Sequence, residues 1–105
     1  MGPDPYELLL AALAACITMT LKLYAKHKGW DLQNVEVDLG HDRVHAEDCK
    51  ECEGKEGQIE RIIVRLKIAG DLTDEQQARL REIAEKCPVH KTLTSVPTIL
   101  HETWA

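Results

Sequence analysis

Leu8-Leu9-Leu10-Ala11-Ala12-Leu13-Ala14-Ala15-Cys16-Ile17 is an unbroken apolar run with a cysteine next to its end. Its borders carry helix signals. Asp4 suits the N-cap, Pro5 the first helical position and Glu7 the first turn. Lys22, Lys26 and Lys28 complement the negative end of the helix dipole, and Gly29 supplies a left-handed stop. A helix that is apolar on every side is expected to be surrounded by protein, which places the Cys16 thiol near the centre of the fold. That thiol serves either packing or chemistry.

The 105-residue chain is the size of one small domain, residues 1–105, with little capacity to bury such a helix alone. An oligomer is therefore expected. A formal charge of −5 argues against nucleic acid or an anionic membrane as partner. With no Phe, the core is aliphatic. The apolar run is shorter than the about 20 residues of a membrane-spanning helix. Leu13-Ala14-Ala15-Cys16 has the form of a lipoprotein cleavage box, but Asp4 and Glu7 stand before it where a signal peptide carries basic residues. The expected address is the cytoplasm, where thiols stay reduced unless catalytic or metal-bound.

Downstream the pattern changes period. Over residues 30–45, Val35, Val37 and Leu39 alternate with Glu36 and Asp38, a half-buried strand. The alternation slips near Gly40, where a bulge is expected. Residues 47–57 are charged and glycine-bearing and read as a loop. A second strand follows over 59–69, with Ile62, Val64, Leu66 and Ile68 on one face, so the two strands form a hairpin. Thr73-Asp74-Glu75-Gln76 is a capping box opening a helix whose core stripe is Leu80, Ile83, Ala84 and Cys87. Pro88 breaks that helix, residues 89–93 suit a further short turn, and Pro97-Thr98-Ile99-Leu100-His101 reads as a closing edge strand. The expected class is α+β.

The four cysteines form two dissimilar pairs. Cys16, in phase with Leu9, Ala12, Leu13, Met19 and Leu23, and Cys87, in phase with Leu80 and Ile83, sit on apolar helical stripes. They are either inert core thiols or reagents; the helix end at Pro88, where the chain could swing Cys87, and the nearby His90 favour a reagent at Cys87. Cys49 and Cys52 form C-x-x-C in the polar loop, which is half a zinc site. His45, or His41 one step back, is a candidate third ligand. A disulfide and a solvated loop are the rivals, and the acidic neighbours Glu47, Asp48, Glu51 and Glu53 slow thiolate chemistry. No Ser-His-Asp arrangement, phosphate-binding glycine loop or basic-aromatic surface appears.

The segment from Asp4-Pro5-Tyr6-Glu7 through Cys16, followed by Cys87-Pro88-Val89-His90, resembles the OsmC/Ohr family of thiol peroxidases. Similarity extends to about Leu93, and the region from His45 to Gly57 looks like a hairpin variant of the OsmC-like branch. The resemblance implies an intertwined homodimer with a central buried helix on curved antiparallel sheet and no required cofactor. It implies that Cys16 is the peroxidatic thiol and Cys87 the resolving one, that organic hydroperoxide is the substrate, and that a dithiol reductant closes the cycle. Leu9, Leu13 and Met19 would then line an apolar substrate site, with Tyr6 and Glu7 in support. The family holds an arginine over the thiolate, oriented by a glutamate at the position of Tyr6. That arginine belongs to N-terminal strands preceding the point matched by Met1, so the chain reads as N-terminally short. Arg43, Arg61 or Arg65 of a dimer mate are the candidate replacements. The rival class is a non-catalytic dimer binding a small apolar ligand or zinc.

Overall fold

In the computed structural model, residues 4–45 and 58–103 are described. Helix α1 (Pro5–Lys28) leads into strand β1 (Asp31–His45), which pairs antiparallel with β2 (Gln58–Asp71). Helices α2 (Asp74–Ala84) and α3 (Pro88–Thr94) complete the α+β order. The Glu7 amide donates to Asp4 Oδ1 at 2.9 Å, as an N-cap requires. At the other end Gly29 has φ 72°, and the Trp30 amide donates back to the Ala25 carbonyl at 2.9 Å. At 24 residues α1 is long and apolar enough to cross a membrane by length and composition, longer than its uninterrupted apolar run suggests.

One face of α1 is core. Leu13, Ile17, Leu21 and Ala25 are buried, following the i, i+4 ridge of the helix, and they pack with Ile68, Leu80, Ile83, Ala84 and Cys87. The expected all-round burial is not met within one chain. Leu8, Met19 and Leu23 are 57%, 63% and 66% exposed, because the hairpin and α2 cover only one side of the helix. The buried stripe therefore runs through Ile17 and Leu21 rather than through Met19 and Leu23. Tyr24 fixes the lower end of α1: its ring meets Trp30 edge-on at 5.5 Å, and its hydroxyl accepts from Arg79 Nε of α2.

The hairpin alternates as its sequence predicts. Val35 faces Ile68 and Val37 faces Leu66, all turned to α1, while Glu36, Asp38 and Asp42 stand opposite Lys67, Arg65 and Arg61 on the outer face. No bulge occurs at Gly40, where pairing continues through Ile63. The irregularity lies at Gln33, between Leu32 and Asn34. The extra residue there puts even-numbered Leu32 on the same inner face as odd-numbered Val35, so the phase is corrected before the alternating run rather than within it.

Gly70, paired with Leu32 beside this bulge, has φ 153°, and a Cβ on it would stand 2.1 Å from the Asp31 carbonyl oxygen. Gly70→Ala should cost about 1–3 kcal/mol through backbone strain. The urea midpoint should fall with the slope of the transition unchanged.

Thr73 caps α2 with both halves of the capping box formed: the Gln76 amide donates to Thr73 Oγ1, and the Thr73 amide to Gln76 Oε1. The expected closing strand is absent. Residues 96–102 pair with neither β1 nor β2, and Val96, Ile99 and Leu100 are 96%, 78% and 77% exposed. Their apolar alternation is real, but the segment adds to neither free edge of the β1–β2 hairpin.

Candidate active site

Two thiols meet where α1 passes the start of α3. Pro88 prevents α2 from continuing, so Cys87 leaves the helical region (φ −66°, ψ 148°) and becomes the N-cap of α3. Its sulfur accepts the His90 amide at 3.3 Å, the bond that a serine or aspartate oxygen supplies in an ordinary cap. Cys87 is fully buried, between Leu80, Ile83 and Ala84 of its own stripe and the Ile17 ridge of α1. Cys16 is half-buried, and its thiol is near enough to Cys87 to help raise the Cys87 pKa. Residues 71 apart in sequence thus present two reduced sulfurs to each other, one partly accessible and one enclosed.

Enclosure raises the pKa of Cys87: burial is the main cause, the adjacent Cys16 thiol adds to it, and the amides of His90 and Val89 oppose it. The folded chain therefore keeps the Cys87 proton at pH values where the unfolded chain has lost it. The stability this contributes is complete below the ordinary thiol pKa of about 8.5 and declines as pH rises through it. Urea midpoints measured from about pH 7 to 9.5 should fall more steeply for wild type than for Cys87→Ala. Parallel profiles would refute the shift.

The other expected site residues scatter. Leu9 lines a cavity of about 190 Å³ with Tyr6, Leu10, His41, Ile62 and Leu93. Leu13 is buried and contributes to a larger one, about 420 Å³, walled by Ile62, Val64, Leu93 and His90. Met19 stands exposed on another face. Glu7 is exposed in the first turn of α1, and Tyr6 stacks on His41 at 5.0 Å with the rings 11° from parallel. The Cys49-x-x-Cys52 loop and the His45 side chain lie outside the described residues. Among the described residues no group of three His, Cys, Asp or Glu is gathered for a metal ion.

The three hairpin arginines each face a carboxylate of their own chain. Arg43 forks onto Glu60 at 2.7 and 3.0 Å, Arg61 pairs with Asp42 at 2.7 Å, and Arg65 lies 3.8 Å from Asp38. Arg61 lowers the pKa of Asp42; Arg43, then His41, lower that of Glu60. Sequence inspection passed over this Tyr6–His41–Glu60–Arg43 cluster. The hairpin register carries the signal, since Arg43 and Glu60 are direct cross-strand partners.

The OsmC-like protein family matches this chain over residues 1–102. An uncharacterized protein of Haloferax volcanii is 30% identical over 94 residues, spanning 88% of this chain and 64% of that protein. The crystal structure of an OsmC-like protein from Mycoplasma pneumoniae superposes with a TM-score of 0.69 at 23% identity, covering 91% of this chain and 65% of that one. That of an OsmC-like hydroperoxide resistance protein from Jannaschia sp. CCS1 gives 0.72 at 21% identity, over 99% and 68%. The chain thus spans somewhat less than two-thirds of the length of the Haloferax and Mycoplasma proteins.

Proposed function

Because the chain belongs to the OsmC-like protein family, we propose that it is a thiol-dependent peroxidase reducing organic hydroperoxides. The observation carrying this reading is the approach of the half-buried Cys16 thiol to the enclosed Cys87 thiol. The Cys16 thiolate attacks the distal peroxide oxygen; an S–O bond forms, the O–O bond breaks, and the alkoxide leaves as the alcohol after taking up the proton that the Cys16 thiol released on ionising. Cys87 then displaces water from the Cys16 sulfenic acid to give a disulfide, and a dithiol reductant restores both thiols by exchange. An organic peroxide is favoured by the apolar part of a nearby cavity, Leu13, Ile62, Val64 and Leu93, whose wall also carries Glu60 and Arg61. The working unit in this reading is a homodimer in the reducing cytoplasm, a second copy covering the exposed side of α1 around Leu8, Met19 and Leu23.

The test is peptide mapping after one equivalent of cumene hydroperoxide. A Cys16–Cys87 disulfide is expected. Unmodified Cys16, with a small molecule retained in native mass spectrometry, would favour a non-catalytic binding protein instead. Zinc at the Cys49/Cys52 loop is a separate proposal, read by metal content of the purified protein: less than a substantial fraction of zinc per chain refutes it.

A further inference from the structure

His90 is the one residue whose side chain holds a buried polar atom without a partner among the described residues: its Nδ1 is shielded from solvent and makes no hydrogen bond. Leaving such an atom unsatisfied is costly, and a fold that retains one calls for a reason. The same residue's amide holds the Cys87 sulfur. That 3.3 Å contact sets the His90 Cα less than about 5 Å from Sγ, so imidazole and sulfur hang from adjacent points of one helical turn. The ring borders a cavity of about 230 Å³ whose wall includes Ile17, next to Cys16, and Ala84, three residues before Cys87. The half-buried ring thus stands on the helical turn that Cys87 caps, beside the segments that carry the two thiols.

We propose that His90 is the proton relay for closure of the Cys16–Cys87 disulfide, an assignment that rests on the peroxidase reading. Closure needs one proton removed from Cys87 and one delivered to the departing oxygen. Neutral His90 takes the Cys87 proton; the resulting thiolate attacks the sulfur of the Cys16 sulfenic acid; the S–S bond forms as the S–O bond breaks; and the imidazolium returns its proton to the leaving hydroxide. The sum is thiol plus sulfenic acid giving disulfide plus water, with His90 unchanged. An enclosed thiol with a raised pKa needs such help, since burial opposes its spontaneous ionisation.

The other charged groups facing His90 are accounted for. Glu60 of β2 is held by Arg43 and His41, and Arg61 by Asp42. Arg81 of α2 donates to the Leu66 carbonyl at 3.1 Å. Cys16 of α1 is the reaction partner itself. Glu85, exposed at the end of α2, is the competing base.

Stopped peroxide pulses on the full chain, followed by dimedone trapping of sulfenic acid and mass spectrometry of the disulfide, test the relay. In wild type the disulfide rate should rise with pH and then level off. In His90→Gln, sulfenic acid should accumulate and the disulfide form about 10²-fold more slowly at neutral pH. Its rate should then climb tenfold per pH unit with no plateau, as hydroxide replaces the lost base. A merely loosened helix would slow closure without erasing the plateau. His90→Asn provides a second variant should the first fold poorly. A wild-type rate and plateau in both variants, or the loss appearing in Glu85→Gln instead, overturns the relay alone. Failure of wild type to form sulfenic acid or disulfide overturns the relay and the peroxidase reading together.

Discussion

Cys16→Ser should abolish hydroperoxide turnover, with a fall on the order of 10⁴-fold or more, the scale of losing a nucleophile outright. Serine is close to cysteine in size but does not ionise near neutral pH, so the loss reports chemistry rather than packing. Cys16 is half-buried on α1, off the Leu13–Ile17–Leu21–Ala25 core ridge, and the substituted protein should melt close to wild type. Cys87→Ser should behave differently. On the peroxidase reading it leaves the Cys16 nucleophile intact, so one equivalent of cumene hydroperoxide should be consumed per chain and a sulfenic acid accumulate at Cys16. Steady-state coupled assay and first-turnover burst together separate the two roles. Equal, slow turnover by wild type and Cys16→Ser would exclude the enzyme reading.

Leu21→Ala should lower stability by about 2–5 kcal/mol. Leu21 is fully buried midway along α1, where the helix meets the hairpin and α2, and its removal leaves a void that three elements would have to close. Domains of this size are held by only about 5–15 kcal/mol in total. A fall in melting temperature of roughly 8–40 °C is expected, from about 4–8 °C per kcal/mol. Leu23→Ala, two residues on, removes the same atoms from a site 66% exposed. It should cost less than about 0.5 kcal/mol if a single chain is the folded unit. A loss approaching that of Leu21→Ala would show that this face is covered in the assembled protein. Melting curves at several protein concentrations distinguish the cases, because an assembled interface makes stability rise with concentration.

The sequence is most legible where one local rule acts alone. Asp4, Pro5 and Gly29 bound α1 as their chemistry requires, and the Thr73–Gln76 capping box opens α2 where it is read. Alternation from Val35 to Leu39 and from Ile62 to Ile68 carries the hairpin and its inner face. Legibility fails where a choice depends on partners distant in sequence. The phase correction sits at Gln33 because Leu32 competes for the same core as Val35, a fact of packing that alternation near Gly40 does not express. Residues 97–101 have the composition of a strand, yet they pair with neither free edge of the hairpin. At the site, both cysteines are visible in the sequence as apolar-stripe thiols. Which is enclosed is not, because that depends on how α2 and α3 close over Cys87 while leaving Cys16 half-open.

The sulfur cap of α3 ties helix stability to redox equilibrium. A thiol is a weak hydrogen-bond acceptor, and a sulfur committed to a disulfide has a different reach and orientation toward the His90 amide. Wherever Cys87 enters a disulfide, any free energy by which α3 prefers the thiol cap appears in full as resistance to oxidation. The conversion is about 30 mV for each tenfold change in that preference. Thr92 and Thr94, whose hydroxyls donate to the carbonyls of Pro88 and His90, lie within this short helix and touch neither sulfur. Substitutions there would tune the reduction potential from outside the site, making a seven-residue helix the setting screw of the couple.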